Sequence, residues 1–326
     1  MRAVSAVGKS VAAADVRSRC ALGRRLVAEG AGPVAQVARV LGVSRQALYN
    51  QPATPRDDEG KVVELRATPP PLPDDWQTAA VSPETMTLEV GLHVLARRHP
   101  AAGYRKLCSR LRRAGWPVNR KRIARLLRRW GLQKSRRIKH PKAQGRPFSI
   151  TAPNELWQTD LTSVWCGEDG WAYFTAVIDC FDRSILGWTF TRRCRAVDVI
   201  DAMESAWATA WPHSIDPQDV TVVLRHDNGT QFTAERYREA AKALGITLSR
   251  TAYRHPDGNA FIERLYRTLT EECVWPNDFA SFDEALAAIE AWVIDYNNHR
   301  PHDSLGRDTV PAEARARALT QHNQAA

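Results

Sequence analysis

No apolar run in this 326-residue chain approaches the about 20 residues needed to cross a bilayer. Arg2, Lys9 and Asp15 interrupt the first seventeen residues, so no signal-peptide apolar region forms there. The six cysteines (20, 108, 166, 180, 194 and 273) include no Cys-x-x-Cys pair. That argues against a zinc finger or a disulfide framework and suits a reducing cytoplasm. No internal repeat and no sustained heptad is present. One charge sign is also missing from a long stretch: Val90 to Asn154 holds 19 Lys and Arg and no acid.

That asymmetry extends over the whole chain. Residues 1–150 carry 30 Lys and Arg against 10 Asp and Glu, and residues 151–326 carry 16 against 26. A basic region of this length is the footprint of a nucleic-acid partner, with affinity that falls as salt rises. Within it Asn119 is a good N-cap, and Ile123, Leu126, Leu127 and Trp130 recur at helical spacing up to Gly131. Arg120, Lys121, Arg122, Arg125, Arg128 and Arg129 decorate the other faces. A preceding helix, Arg105–Ala114, brings Arg105 and Lys106 and is joined through Gly115-Trp116-Pro117. The pair reads as a helix-turn-helix whose second helix enters a major groove. A basic helix on an anionic membrane is the competing reading, and no second membrane signal accompanies it.

A second such pattern lies upstream. Val34–Leu41 reads as a helix, Gly42-Val43 as a turn and Ser44 as the cap of Arg45–Asn50. Arg45, Gln46 and Asn50 are then the residues with reach to base edges. Pro52–Asp58 is polar, and Thr68-Pro69-Pro70-Pro71-Leu72-Pro73 runs as a semi-rigid spacer. The order expected is a helix-turn-helix over 10–66, a linker over 67–75, a basic helix-turn-helix over 76–145, a catalytic core over 146–315 and a disordered tail over 316–326, polar past Thr320.

In the acidic half, Trp157–Val164, Trp171–Ile178 and Ser184–Thr191 read as three successive strands. A helix over Arg195–Trp211 follows, then a buried-type strand Val220–Arg225, a helix Ala234–Leu244 ended by Gly245, and a short strand Ile246–Arg250. Helices over Asn259–Glu272 and Phe282–Asn298 complete the pattern, with Pro301 as a stop. This is an α/β pattern: a mixed five-stranded sheet flanked by helices, preceded by all-α modules.

Three acids stand out on that frame. Asp160 lies in a strand, Asp227 opens a turn after another strand, and Glu263 lies in a helix. Carboxylates from two strands and a helix suit a pair of Mg²⁺ or Mn²⁺ ions serving phosphoryl transfer, which must offset charge on the entering and leaving oxygens. Asp160 would bridge the two ions, with Asp227 and Glu263 each holding one. Asp179 and Asp182 are expected in turn roles. Glu271 and Glu272 lie too far along the helix, and His299 and His302 flank Pro301 at a structural corner. Asn259 and Arg267 share the helix face of Glu263, where Arg267 is a candidate phosphate contact.

The segments Trp157-Gln158-Thr159-Asp160, His226-Asp227-Asn228-Gly229-Thr230-Gln231-Phe232 and Pro256-Asp257-Gly258-Asn259-Ala260-Phe261-Ile262-Glu263 resemble the integrase core of DDE transposases. Tyr296-Asn297-Asn298-His299-Arg300-Pro301-His302 is typical of it too, and His99-Pro100-Ala101-Ala102-Gly103-Tyr104-Arg105-Lys106-Leu107 is similar to the upstream segment of the insertion-sequence-three family. The resemblance implies an RNase H-like core, two divalent ions held by Asp160, Asp227 and Glu263, and metal-dependent 3′-end cleavage followed by strand transfer. It also implies double-stranded DNA partners (terminal inverted repeats and target), a homo-oligomer on DNA, no membrane and a bacterial, nucleoid-associated cytoplasmic location. Two departures accompany it: Thr270 stands where many relatives carry Lys, and the first helix-turn-helix is fused in one chain. A non-catalytic DNA-binding regulator and a structure-specific nuclease are the alternatives in other classes.

Overall fold

The computed structural model describes residues 16–30, 32–43, 48, 68–133, 150–213, 215–250 and 259–325. They belong to two compact units, Met1–Arg66 and Ala67–Ala326. In the first, α1 (Val16–Ala28) and α2 (Val34–Leu41) are described, and Gly42 closes α2 in the left-handed conformation at φ 62°. Val37, Ala38, Leu41 and Leu48 form its core. The expected DNA-contacting residues Arg45, Gln46 and Asn50, the cap Ser44 and the polar stretch Pro52–Asp58 lie outside the described residues.

The second unit opens with three helices, α3 (Leu88–Arg98), α4 (Tyr104–Arg113) and α5 (Arg120–Arg129). Asn119 caps α5 by accepting from Arg122 N at 2.9 Å, and Gly131 at φ 71° ends it. Leu92, Leu107, Leu111, Ile123 and Leu127 make the shared core, joined by Trp116 from the turn. The sequence reading paired only α4 and α5. The structure adds α3, whose Leu88, Leu92 and Leu95 recur at i, i+4 and i+7 and complete that core.

Beyond it a five-stranded sheet runs in the order β3–β2–β1–β4–β5. Its strands are β1 (Leu156–Trp165), β2 (Trp171–Asp179), β3 (Ile185–Thr191), β4 (Val223–His226) and β5 (Thr247–Arg250). The first three are antiparallel, because short turns join them; β4 and β5 are parallel to β1 and to each other. Ala172, Phe174, Ala176 and Ile178 alternate on β2 toward one face, where α8 (Ala260–Leu269) and α9 (Phe282–Asn298) pack. Trp157, Val177, Leu186 and Leu224 meet α6 (Ala196–Ala210) and α7 (Glu235–Ala243) on the other. This is the mixed, helix-flanked sheet expected from the sequence.

The structure departs from that expectation in three places. Val220, Thr221 and Val222 precede β4 rather than belonging to it, although Val220 and Val222 are buried. α8 stops at Leu269 and a π turn, Thr270–Val274, replaces its last residues, with Thr270 Oγ1 donating to Tyr266 O. The tail expected to be disordered is helical as α10 (Pro311–Ala325). Its Arg315 is drawn in by the buried acids Asp179 and Asp182, each 3.0 Å away.

Candidate active site

β1 and β4 are adjacent and parallel, and their last paired positions are Gln158 and Arg225. Asp160 and Asp227 each lie two residues further on, Asp160 in mid-strand where β1 continues past the end of β4 and Asp227 immediately after β4, on neighbouring strands about 4.8 Å apart. Asp160 Oδ1 accepts from its neighbour Leu161 N at 2.8 Å. Asp227 Oδ1 accepts from Gly229 N at 2.9 Å, an Asx turn that fixes the carboxylate at the strand end. His226, stacked on Phe232, presents Nδ1 to Asp227 O at 2.6 Å and anchors the same turn.

Glu263 arrives on the first turn of α8, exposed. Two tethers hold that helix against the strand of Asp160. The side chain of Gln158 is fully buried and its Oε1 accepts from Phe261 N and Ile262 N at 3.2 and 3.1 Å. These are donors that a helix N-terminus leaves without intrahelical partners. The Tyr266 hydroxyl donates to Asp160 O and accepts from Ala176 N, bridging two residues that face each other across β1 and β2. The sequence reading missed both tethers; the only signal was an amide and a phenol beside otherwise apolar positions.

Electrostatically Asp160 feels both other acids. Burial first, then the charges of Asp227 and Glu263, push Asp160 up to about 6, although the Leu161 N–H pulls the other way. Among the described residues no three His, Cys, Asp or Glu side chains form a closed ligand cluster, so the acids sense one another without sharing a preformed cage.

The competing acids are occupied elsewhere. Glu272 Oε1 accepts from Lys106 Nζ at 2.7 Å, and both its oxygens bind Arg300 at 2.6 and 2.9 Å. Asp179 accepts from Asn154 N and Phe181 N, and Asp182 from Ser184 N, which makes them turn anchors. His302 accepts from Arg300 Nη1 at 3.1 Å and packs edge-on against Tyr296 at the corner made by Pro301.

The basic candidates divide. Lys121, Arg125, Arg128 and Arg129 are exposed on α5, as are Arg105 on α4 and Arg267 on α8. Arg122 pairs with Glu89 at 3.2 Å and Arg120 with Asp303 at 3.9 Å. Lys106 points into the sheet-bearing part through Glu272.

An integrase core domain model matches residues 150–256, a second integrase core model matches 244–309, and an HTH-like domain model matches 92–140. The Transposase InsF for insertion sequence IS3A of Escherichia coli (strain K12) is 30% identical over 232 residues, covering 67% of this chain and 78% of that protein. The chain belongs to the IS3 family of transposases. A putative transposase for insertion sequence element IS986/IS6110 of Mycobacterium tuberculosis (strain CDC 1551 / Oshkosh) is 31% identical over 250 residues, 72% of this chain and 88% of that protein. Among solved structures, the catalytic core domain of BIV integrase is 20% identical with a TM-score of 0.38, covering 53% of this chain and 99% of that one. The sheet of this transposase lies in its integrase core, preceded by an HTH-like domain. No described helix is long and apolar enough to cross a membrane.

Proposed function

We propose that this transposase cuts the 3′ ends of its insertion sequence and joins them to new DNA, with Asp160, Asp227 and Glu263 as the catalytic carboxylates. The observation that carries the reading is the equal offset of Asp160 and Asp227 on adjacent parallel strands, with Glu263 tethered beside them through Gln158 and Tyr266. The donor set fits hard divalent ions: it is all carboxylate oxygen, and positive charge would offset the burial and, after it, the repulsion from Asp227 and Glu263 that raise Asp160. Asp160, on which both other acids act, would hold the ions together with Asp227 and Glu263. Two Mg²⁺ or Mn²⁺ ions, when bound, supply activation of the attacking hydroxyl and charge neutralisation at the leaving oxygen.

The chain's own part is positioning. The Asx turn at Asp227 and the Leu161 N–H at Asp160 fix the two carboxylates. Gln158 and Tyr266 set how far α8 brings Glu263 toward them. The exposed cations of α5, with Arg105 and Arg267, hold phosphates of double-stranded terminal repeats and target. Arg45, Gln46 and Asn50 supply base reading from the first helix-turn-helix. Joining two ends calls for a homo-oligomer on DNA, acting in the bacterial cytoplasm at the nucleoid.

The test is an in vitro assay on the gene's flanking DNA with Mg²⁺ or Mn²⁺, comparing wild type with Glu263→Gln. Cleavage and joined products in wild type, both lost in the variant while end binding persists, support the reading. Cleavage without joining gives a nuclease, and end binding without chemistry gives a regulator.

A further inference from the structure

A cavity of about 240 Å³ opens beside α8 and is lined by Lys106, Arg183, Phe261, Arg264, Arg300 and His302. Phe261, Arg264 and Thr268 line it at i, i+3 and i+7, so one face of α8 forms its wall, and Arg264 directly follows Glu263. The cavity wall and the proposed catalytic carboxylate are thus on the same turn of α8, about 100° apart around its axis.

Positive charge here exceeds what the fold neutralises. Glu272 takes up Lys106 and Arg300 together. Asp303, the other acid at the rim, has a mostly exposed side chain and faces Arg120. Arg183 and Arg264 have no carboxylate within ion-pair distance among the described residues; Asp179 and Asp182, which act on Arg183 at longer range, are held by Arg315. His302 adds no charge, since it accepts from Arg300.

Arg183 is the most informative residue. It occupies the left-handed region at φ 67°, which non-glycine residues rarely adopt. Its guanidinium lies 3.7 Å from the centre of the Phe261 ring, which orients the fork. Its Nη1 is buried with no hydrogen-bond partner among the described residues. A buried donor without an acceptor is costly, and a strained backbone holding such a donor in a cavity marks a place built for an incoming oxygen.

We propose that this cavity is a phosphate subsite, taking one backbone phosphate of the DNA strand held beside Glu263 between the guanidinium groups of Arg183 and Arg264. A planar guanidinium matches phosphate oxygens in two-point geometry, which a lone ammonium does not. The assignment of the strand rests on the proposed function; the recognition of phosphate oxygen rests on the cavity alone. Free orthophosphate offers the same chemistry, so the test separates the two sources.

The full chain is titrated with labelled end duplex, without divalent metal, across a range of salt. Arg183→Gln and Arg264→Gln are each expected to lower the slope of log affinity against log salt by about one. Single methylphosphonate linkages, which remove one backbone charge, are then scanned along the cleaved strand. At one linkage the variants and wild type should bind equally, because the same contact is already lost. Arg264 is exposed, so its variant keeps the fold even where Arg183→Gln proves unstable.

An unchanged slope in Arg264→Gln, or additive losses at every linkage, overturns the proposal. So does orthophosphate that raises the melting temperature of wild type but not of Arg264→Gln and is not displaced by duplex, which assigns the cavity to a free anion. Coupling at one linkage in a protein that neither cuts nor joins keeps the subsite and rejects the proposed function. Cutting and joining without coupling does the reverse.

Discussion

Arg110 on α4 and Asp295 on α9 form a two-point ion pair, Nη1 to Oδ1 at 3.0 Å and Nη2 to Oδ2 at 2.6 Å. The pair fastens the basic three-helix module to the sheet-bearing part, beside Lys106–Glu272, Arg112–Asp308 and Arg113–Glu313. The Arg110 side chain is 10% exposed and that of Asp295 27%, so the pair sits between the weak surface case and the buried one. Arg110→Ala is expected to cost about 1–3 kcal/mol. A double-mutant cycle with Asp295→Ala in urea should return most of that as coupling; additive effects would reject the docking role.

Arg315 makes a stronger case, because both its acidic partners are fully buried. Burial, then the charge of Asp182, pushes Asp179 up to about 6 even with Arg315 present. Arg315→Ala would leave two uncompensated carboxylates and cost about 3–5 kcal/mol. Adding Asp179→Asn to that variant should recover part of the loss, measured as the shift in unfolding midpoint. No recovery would mean that Arg315 acts through packing alone.

For the tethers of α8, Tyr266→Phe removes the hydroxyl between Asp160 O and Ala176 N with little change in volume. The expected outcome is strand transfer slowed roughly 10- to 100-fold with DNA affinity unchanged. Gln158→Leu, which orphans Phe261 N and Ile262 N, should act in the same direction and also lower stability by about 1–3 kcal/mol. Wild-type rates in both variants would remove the tethers from the mechanism.

Acid sensitivity should come from two half-buried histidines. Burial, then Arg110, lowers His99 to about 4; burial, then Arg300 and Lys106, lowers His302 to about 3. Both lie below the ordinary 6.5, so the unfolded chain binds these protons first. Stability is full above that pH and is lost as pH falls toward 4 and then 3, by at most about 1.4 kcal/mol per unit for each proton. His99→Gln should flatten the upper part of the unfolding-midpoint curve. An unaltered slope would place the titration elsewhere.

Gly187 on β3 tests the packing of α6. An added Cβ would lie 2.2 Å from Ala202 O and 2.4 Å from Ala206 N, both backbone atoms that cannot turn aside. Gly187→Ala should destabilise by about 1–3 kcal/mol in thermal or urea unfolding. A neutral effect would mean that α6 slides freely on the sheet.

Local pattern settled most of the elements. Alternation in β2, the Asn119 cap, the Gly131 stop and the length of α9 follow from spacing, since each depends on neighbours a few residues apart. The three acids were legible for a different reason: each sits in a short motif that carries its own turn or strand. α10 was not, because its place is fixed by a contact to Asp179 far along the chain; α3 carries its own helical spacing, Leu88, Leu92 and Leu95, and only its place in the core depends on Trp116.

The charge asymmetry marks the division most clearly. By itself the sequence determined that a basic half precedes an acidic half carrying three candidate carboxylates. Only the tertiary structure decided how those charges are used. It turns Lys106, Arg110 and Arg112 onto acids of the sheet-bearing part, pairs Arg113 with Glu313 at the surface and leaves Lys121, Arg125, Arg128 and Arg129 facing solvent. Composition counts charges without direction; the packing of α4 against α9 and α10 gives each one a partner or an open face.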